Sequence, residues 1–84
     1  MPRDIEERIH DFVRDRFPTV EFADGDDIFS LGFVNSLFAM ELVLFVEGTF
    51  AVTVVNDELR LDNFRSVDSM AALVRRLCAV ASHG

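Results

Sequence analysis

An all-α fold is what this 84-residue sequence predicts: four helices, with a long ordered loop between the first two and a short third helix. Three observations lead there. Apolar residues recur at helical spacing in separate segments, no two segments alternate convincingly enough to pair as strands, and 50% of the residues are apolar, too many for an acidic chain to stay unfolded. The length suits one domain over residues 1–84 and leaves no room for a second. A lone Cys78 makes no internal disulfide, and no His/Cys cluster offers a structural zinc site, so the hydrophobic core alone must hold the fold. The aromatics are nine Phe with no Trp or Tyr, rings that can be buried without finding partners for polar tips.

The first helix is set by Ile5, Ile9, Phe12, Val13 and Phe17, which share one face of a 3.6-residue repeat. Glu6, Glu7, Arg8, Asp11, Arg14 and Asp15 make the opposite face, expected to be solvated and paired at i,i+3 and i,i+4. Pro18 ends the helix by pushing the residue before it out of helical geometry. Residues 18–35 hold no period. Asp24-Gly25-Asp26-Asp27 reads as an exposed turn, and Ile28, Phe29, Leu31 and Phe33, around Gly32, predict a loop that lies across the core.

Asn35 and Ser36, both good cap types, start the second helix, which runs to about Phe50 with Gly48 near its end. Ala39, Leu42, Val43, Val46 and Phe50 form one face. Leu37, Phe38, Glu41, Leu44, Phe45 and Gly48 form another that is unusually apolar, so the helix is either covered all round or meets a partner. Val52 and Val54 alternate as in a strand, but with no second strand to pair with, that reading is rejected. Asn56-Asp57-Glu58-Leu59 predicts a brief third helix ending before Asp62-Asn63. The last helix starts from Ser66 as cap, with Asp68 in its first turn and a buried stripe of Val67, Met70, Ala71, Val74, Leu77, Cys78 and Ala81.

The formal charge is −7, and every basic residue is Arg. Such a chain repels a phosphate backbone, which argues against nucleic acid as a partner. The charge is uneven: residues 1–27 carry −5, residues 35–64 carry −4 and residues 65–84 carry +2. Glu41, Glu47, Asp57, Glu58 and Asp62 give the second and third helices a shared acidic face that would steer a basic partner. Leu37 to Val46, the longest nearly apolar run, is interrupted by Glu41 and far short of the ~20 residues of a membrane span. Met1-Pro2-Arg3-Asp4 opens into charge rather than an apolar signal region, so a cytoplasmic protein without a membrane partner is expected.

The informative stretch is Leu31-Gly32-Phe33-Val34-Asn35-Ser36-Leu37-Phe38-Ala39-Met40-Glu41-Leu42. It sets a serine hydroxyl at the start of an amphipathic helix, where unpaired backbone N–H groups and the positive helix end favour a phosphate. Leu-Gly at 31–32, Ser36-Leu37, Glu41-Leu42 and Phe50, followed by Leu61-Asp62-Asn63-Phe64-Arg65-Ser66-Val67, resemble the acyl carrier protein family over essentially the whole chain. The resemblance implies a four-helix carrier bundle. It also implies a 4′-phosphopantetheine arm attached from coenzyme A to Ser36 by a phosphopantetheinyl transferase, and an acyl group held as a thioester on the arm's thiol. The domain would be no enzyme. It would be a monomer presenting cargo to acyl-loading, acyl-modifying and acyl-accepting synthase enzymes, with Asn35, Leu37, Phe38, Met40, Glu41, Leu44, Phe45, Glu47, Asp57 and Glu58 as the expected docking surface.

Two departures from the family pattern stand out. Asn35 replaces the usual Asp, retaining the capping ability but not the charge offered to the modifying enzyme. Leu37, Phe38, Leu44 and Phe45 replace much of the usual acid on the second helix, which implies more apolar docking. The Gly-Gly-[His/Asp]-Ser signature of many peptidyl carriers is missing. The motif around Ser36, together with residues 61–67, is similar to discrete, free-standing carriers that load glycerate-derived three-carbon units on the way to hydroxymalonyl or methoxymalonyl extenders for polyketide synthesis. The alternatives are a fatty-acid or peptidyl-type carrier of another pathway, or an unmodified acidic helical module that binds a basic partner.

Other residues read more plainly. Cys78 sits on an apolar stripe without a neighbouring His, His10 and His83 are expected to be solvated, and Asp24–Asp27 lacks the later ligands of a calcium loop, so no metal site is expected. If cargo slips between helices, Val43, Val46, Phe50, Leu59, Leu61 and Met70 are the residues whose helix faces would line the gap.

Overall fold

Three α-helices and two 3₁₀ turns, with no strand among the described residues, make up the computed structural model, which describes residues 4–32 and 35–83. Helix α1 spans Asp4–Arg16, α2 spans Ser36–Phe50 and α3 spans Val67–His83. The expected short third helix is instead a 3₁₀ turn at Asn56–Glu58 and a second at Leu61–Phe64. With Leu59 and Arg60 extended or irregular between them, neither turn has the length to settle into α geometry.

One core joins the three α-helices, the loop between α1 and α2, and the second 3₁₀ turn through Phe64. Ile9 and Val13 of α1, Ile28 of the loop, Leu42 and Val46 of α2, and Val67, Met70, Ala71, Leu73 and Val74 of α3 have no exposed surface. Leu73 belongs to this set although the expected stripe of α3 omitted it, while Leu77 and Cys78 are only half-buried. Phe33, Val34 and the side chains of Ala81 and His83 fall outside the described residues.

A ladder of rings fastens α1 to α2. Phe12 stacks on Phe45 with ring centres 4.1 Å apart and on Phe38 at 5.8 Å; Phe17 meets Phe38 edge-on at 5.0 Å, and Phe45 meets Phe50 edge-on at 6.2 Å. This contact consumes part of the second apolar face of α2, because offset and edge-to-face ring pairs add to plain burial.

The loop between α1 and α2 lies across the core, as its apolar content predicts. Ile28 is fully buried and its backbone N–H donates to the Arg65 carbonyl at 2.7 Å. The Asp24 carbonyl accepts from the Asp68 N–H at 3.0 Å, while Ser66 Oγ accepts from the Ser69 N–H at 3.0 Å, so the loop and the cap together satisfy donors at the start of α3. The acidic turn is no free solvated cluster. Asp26 accepts from the Ala23 N–H, and Asp27 accepts from the N–H groups of Phe29 and Ser30 and pairs with Arg65.

Two charged residues expected in solvent are drawn inward. Glu6 is only 9% exposed and makes a two-pronged pair with Arg75 at 2.9 Å per contact, joining residues 69 positions apart. The half-buried His10 stacks on Phe22 at 4.3 Å and hydrogen-bonds through Nδ1 to Asp24 at 2.8 Å. Local periodicity ranks both positions as outer because it sees neither α3 nor the returning loop. Segment 52–55 has no regular secondary structure: Val52 and Val54 are buried, and the Val54 N–H donates to Glu47 Oε2 at 2.9 Å instead of to a strand.

Asp27 gives the loop an acid sensitivity. The Ser30 backbone N–H, then the Ser30 hydroxyl, the Phe29 N–H and Arg65, hold its carboxyl below the usual 3.8 against an opposing desolvation. A depressed native value means that this stabilisation is complete above the unfolded value near 3.8 and is lost as pH falls through the native one. Asp27→Asn is therefore expected to lower the urea midpoint at pH 7 and to narrow the gap from wild type as the pH is taken below 3.8. A gap that stays constant with pH would show that the carboxylate contributes nothing as a charge.

Candidate functional site

The start of α2 is built by Asn35. Its backbone is extended (φ −117°), its side-chain oxygen accepts from the Phe38 N–H at 3.0 Å, and its carbonyl accepts from the Ala39 N–H at 3.0 Å. Of the two residues that the sequence offers as cap, Asn35 takes the role and Ser36 becomes the first helical residue, exposed to solvent. Gly32, in the turn that precedes this start, has φ +87°, a conformation that costs glycine little.

Asn35→Ala is expected to cost about 1 kcal/mol of stability by removing the cap. Asn35→Asp keeps the cap and adds a negative charge at the positive helix end, for a gain of about 0.3–1 kcal/mol. Urea midpoints of the two variants should move in opposite directions, and a shared direction would refute the capping assignment.

From Ser36 a single helix stripe leads into a groove. Ala39, Met40 and Val43 follow it at i+3, i+4 and i+7, on the same face. These three form one wall of a cavity of about 230 Å³ whose other side is Leu59, Arg60, Leu61 and Phe64. The second wall is the junction of the two 3₁₀ turns: Leu59 between them and Leu61 at the start of the second, 48% and 54% exposed, are held out over α2 rather than folded into the core. Of the residues expected to line a gap, Val43, Leu59 and Leu61 do so. Val46 and Met70 are closed into the core with no exposed surface, and Phe50 is not on the lining. Arg60 was missed, although it is the lone basic residue in the acidic stretch 35–64 and stands between two leucines.

The expected docking surface divides. Leu37, Met40 and Leu44, 71%, 59% and 65% exposed, form an outward row at spacings of three and four, with Asn35 and Asp57 also exposed. Phe38 does not belong to it: only 3% exposed, it packs in the ring ladder with the Arg16 guanidinium 5.2 Å from its ring centre. Phe45 is half-buried in the same ladder. The acids are also engaged internally. Glu41 pairs with Arg16 through both oxygens, Glu47 holds the Val54 N–H, and Glu58 accepts from Arg76 and Asn63. Arg76, helped by Asn63, holds the Glu58 carboxyl below its usual value. The outward face of α2 is thus more apolar than its sequence suggests, since its charges serve the fold.

No helix among the described residues is long and apolar enough to cross a membrane, and no cluster of three or more His, Cys, Asp or Glu there is arranged to hold a metal ion. No family model, no curated protein and no solved structure matches the chain.

Proposed function

We propose that this chain is an acyl carrier protein, with Ser36 as the attachment residue of a 4′-phosphopantetheine arm and the pair of 3₁₀ turns in the place of the family's short third helix. The observation that carries the reading is the placement of Ser36: an exposed hydroxyl at the first position of α2, set behind an independent cap and continuing along one helix face into an apolar groove. The residues suit the group. The hydroxyl is open to a modifying enzyme, and the positive end of α2 favours the phosphodiester.

When bound, the arm supplies a thiol that holds an acyl group as a thioester. The chain's own residues do the rest. Asn35 orients the helix start, Ser36 carries the arm, and the exposed row Leu37, Met40 and Leu44 offers apolar contact to a phosphopantetheinyl transferase and to acyl-handling synthase enzymes. The motif around Ser36 favours a glycerate-derived three-carbon cargo in polyketide assembly over a fatty-acid or peptidyl cargo, and the protein works as a cytoplasmic monomer.

Incubation with coenzyme A, magnesium and a broad-specificity phosphopantetheinyl transferase, followed by intact mass, tests the reading. A gain of one phosphopantetheine is the expected result. No gain with several transferases, for wild type and Asn35→Asp alike, would replace the carrier with an unmodified interaction module.

A further inference from the structure

Seven arginines lie among the described residues, and six of them close an ion pair: Arg8 with Asp4, Arg14 with Asp11, Arg16 with Glu41, Arg65 with Asp27 and Asp62, Arg75 with Glu6, and Arg76 with Glu58. Arg60 closes none among these residues. Its two nearest acids in sequence are engaged elsewhere: Glu58 accepts from Arg76 and Asn63, and Asp62 pairs with Arg65. Yet Arg60 is the one charged residue on the groove, whose remaining lining is apolar. An apolar trough whose one charged residue is a cation that closes no ion pair among the described residues is complementary to a ligand with an apolar body and one anionic end. The surrounding charge of −7 disfavours a polyanion at the same place. At about 230 Å³ the space exceeds the ~150 Å³ that accommodates benzene in an apolar cavity, so it admits a chain of a few carbons.

We propose, resting on the carrier reading, that the groove takes a short acyl chain ending in a carboxylate, with Arg60 binding the carboxylate and Met40, Val43, Leu59, Leu61 and Phe64 covering the methylenes. The stripe from Ser36 through Met40 to Val43 puts attachment point and groove on one face, so a cargo carried at Ser36 would reach the groove without crossing the core. Arg60 is then a specificity-determining residue: it separates a dicarboxylic cargo from a plain acyl chain of equal length.

The test uses the full, unmodified chain labelled with ¹⁵N. The glutaryl and pentanoyl thioesters of N-acetylcysteamine, equal in carbon number and differing in the terminal carboxylate, are titrated in parallel. The expected result is movement of the Leu59, Leu61 and Phe64 amides, with glutaryl bound about fivefold more tightly than pentanoyl, the upper range for a partly exposed ion pair. Arg60→Gln should erase that preference while leaving the melting temperature unchanged, because Arg60 is exposed and makes no side-chain bond.

Equal binding of the two esters, no binding of either, or a preference that survives Arg60→Gln overturns the proposal. So does inorganic phosphate competing as well as the glutaryl ester, which would make Arg60 a phosphate contact. No arm on Ser36 is needed. A chain that cannot be loaded but shows the Arg60-dependent preference therefore refutes the carrier reading alone, and a chain that loads but binds both esters alike refutes this inference alone.

Discussion

Ser36→Ala is expected to abolish the phosphopantetheine mass gain completely while leaving the fold intact. The effect is all-or-none because a methyl group offers no oxygen to form the phosphodiester. The variant is a clean one because of where the helix cap sits. If Ser36 were the cap, alanine would remove a hydrogen bond to the helix N-terminus and cost about 1 kcal/mol, confusing lost modification with a damaged site. Asn35 is the cap, and Ser36 is an exposed helical residue. Alanine is the better helix former there, so the unfolding free energy should stay within about 0.5 kcal/mol of wild type. Intact mass and a urea titration on the same preparation check both halves. Residual mass gain in the variant would move the attachment residue elsewhere.

Ile28→Ala is expected to have the largest effect on stability. Ile28 has no exposed surface, and among the described residues it is the only fully buried one of the loop that connects α1 to α2. Truncating a buried Ile to Ala costs about 2–5 kcal/mol, from lost transfer energy and from the cavity left behind. A domain of this length has about 4–13 kcal/mol in all, and no disulfide supplements its core. A fall of at least about 10 °C in melting temperature is therefore expected, with Ile28→Val costing about 1 kcal/mol as the graded control. The backbone bond from the Ile28 N–H to the Arg65 carbonyl survives the substitution in principle, so the loss reads the side chain. Because the same loop leads to Asn35 and Ser36, amide exchange in residues 24–32 should quicken together with slower loading at Ser36. A melting temperature within 3 °C of wild type would mean that the loop is not anchored by this residue.

How much of the molecule was legible beforehand depends on how strongly each segment contrasts apolar with polar positions. α1 and α3 alternate sharply, so their extents and most of their core residues follow from the 3.6-residue period. α2 is apolar on nearly every side. Its ends were readable from Asn35 and Phe50, but its faces were not, and Phe38 and Phe45 were assigned outward when they fill the contact with Phe12 and Phe17. The short third helix failed for a different reason. Asn56-Asp57-Glu58 carries good helix-start chemistry, yet Glu58 is tied to Arg76 and Asn63, and the chain turns tightly at Leu59 to set both leucines over α2. Glu6 and His10 lie on the charged side of α1 by local spacing, and only long-range partners, Arg75 and Asp24, bring them inward.

What the sequence by itself determined are the properties set by neighbours along the chain: an all-helical fold, the approximate limits of the three α-helices, a capped start of α2 at Asn35 or Ser36, the exposure of the Ser36 hydroxyl, and an apolar loop that must return to the core. These follow from periodicity, capping and the restrictions around proline, which act over a few residues. Only the tertiary structure decided which faces of α2 stay open, which acids serve the fold, and that Arg60 stands on an apolar groove without an ion pair among the described residues. Those outcomes depend on which of several chemically similar partners arrives first in space. An arginine pairs with whichever carboxylate the packing brings within reach, and a phenylalanine on an all-apolar helix faces whichever neighbour covers it.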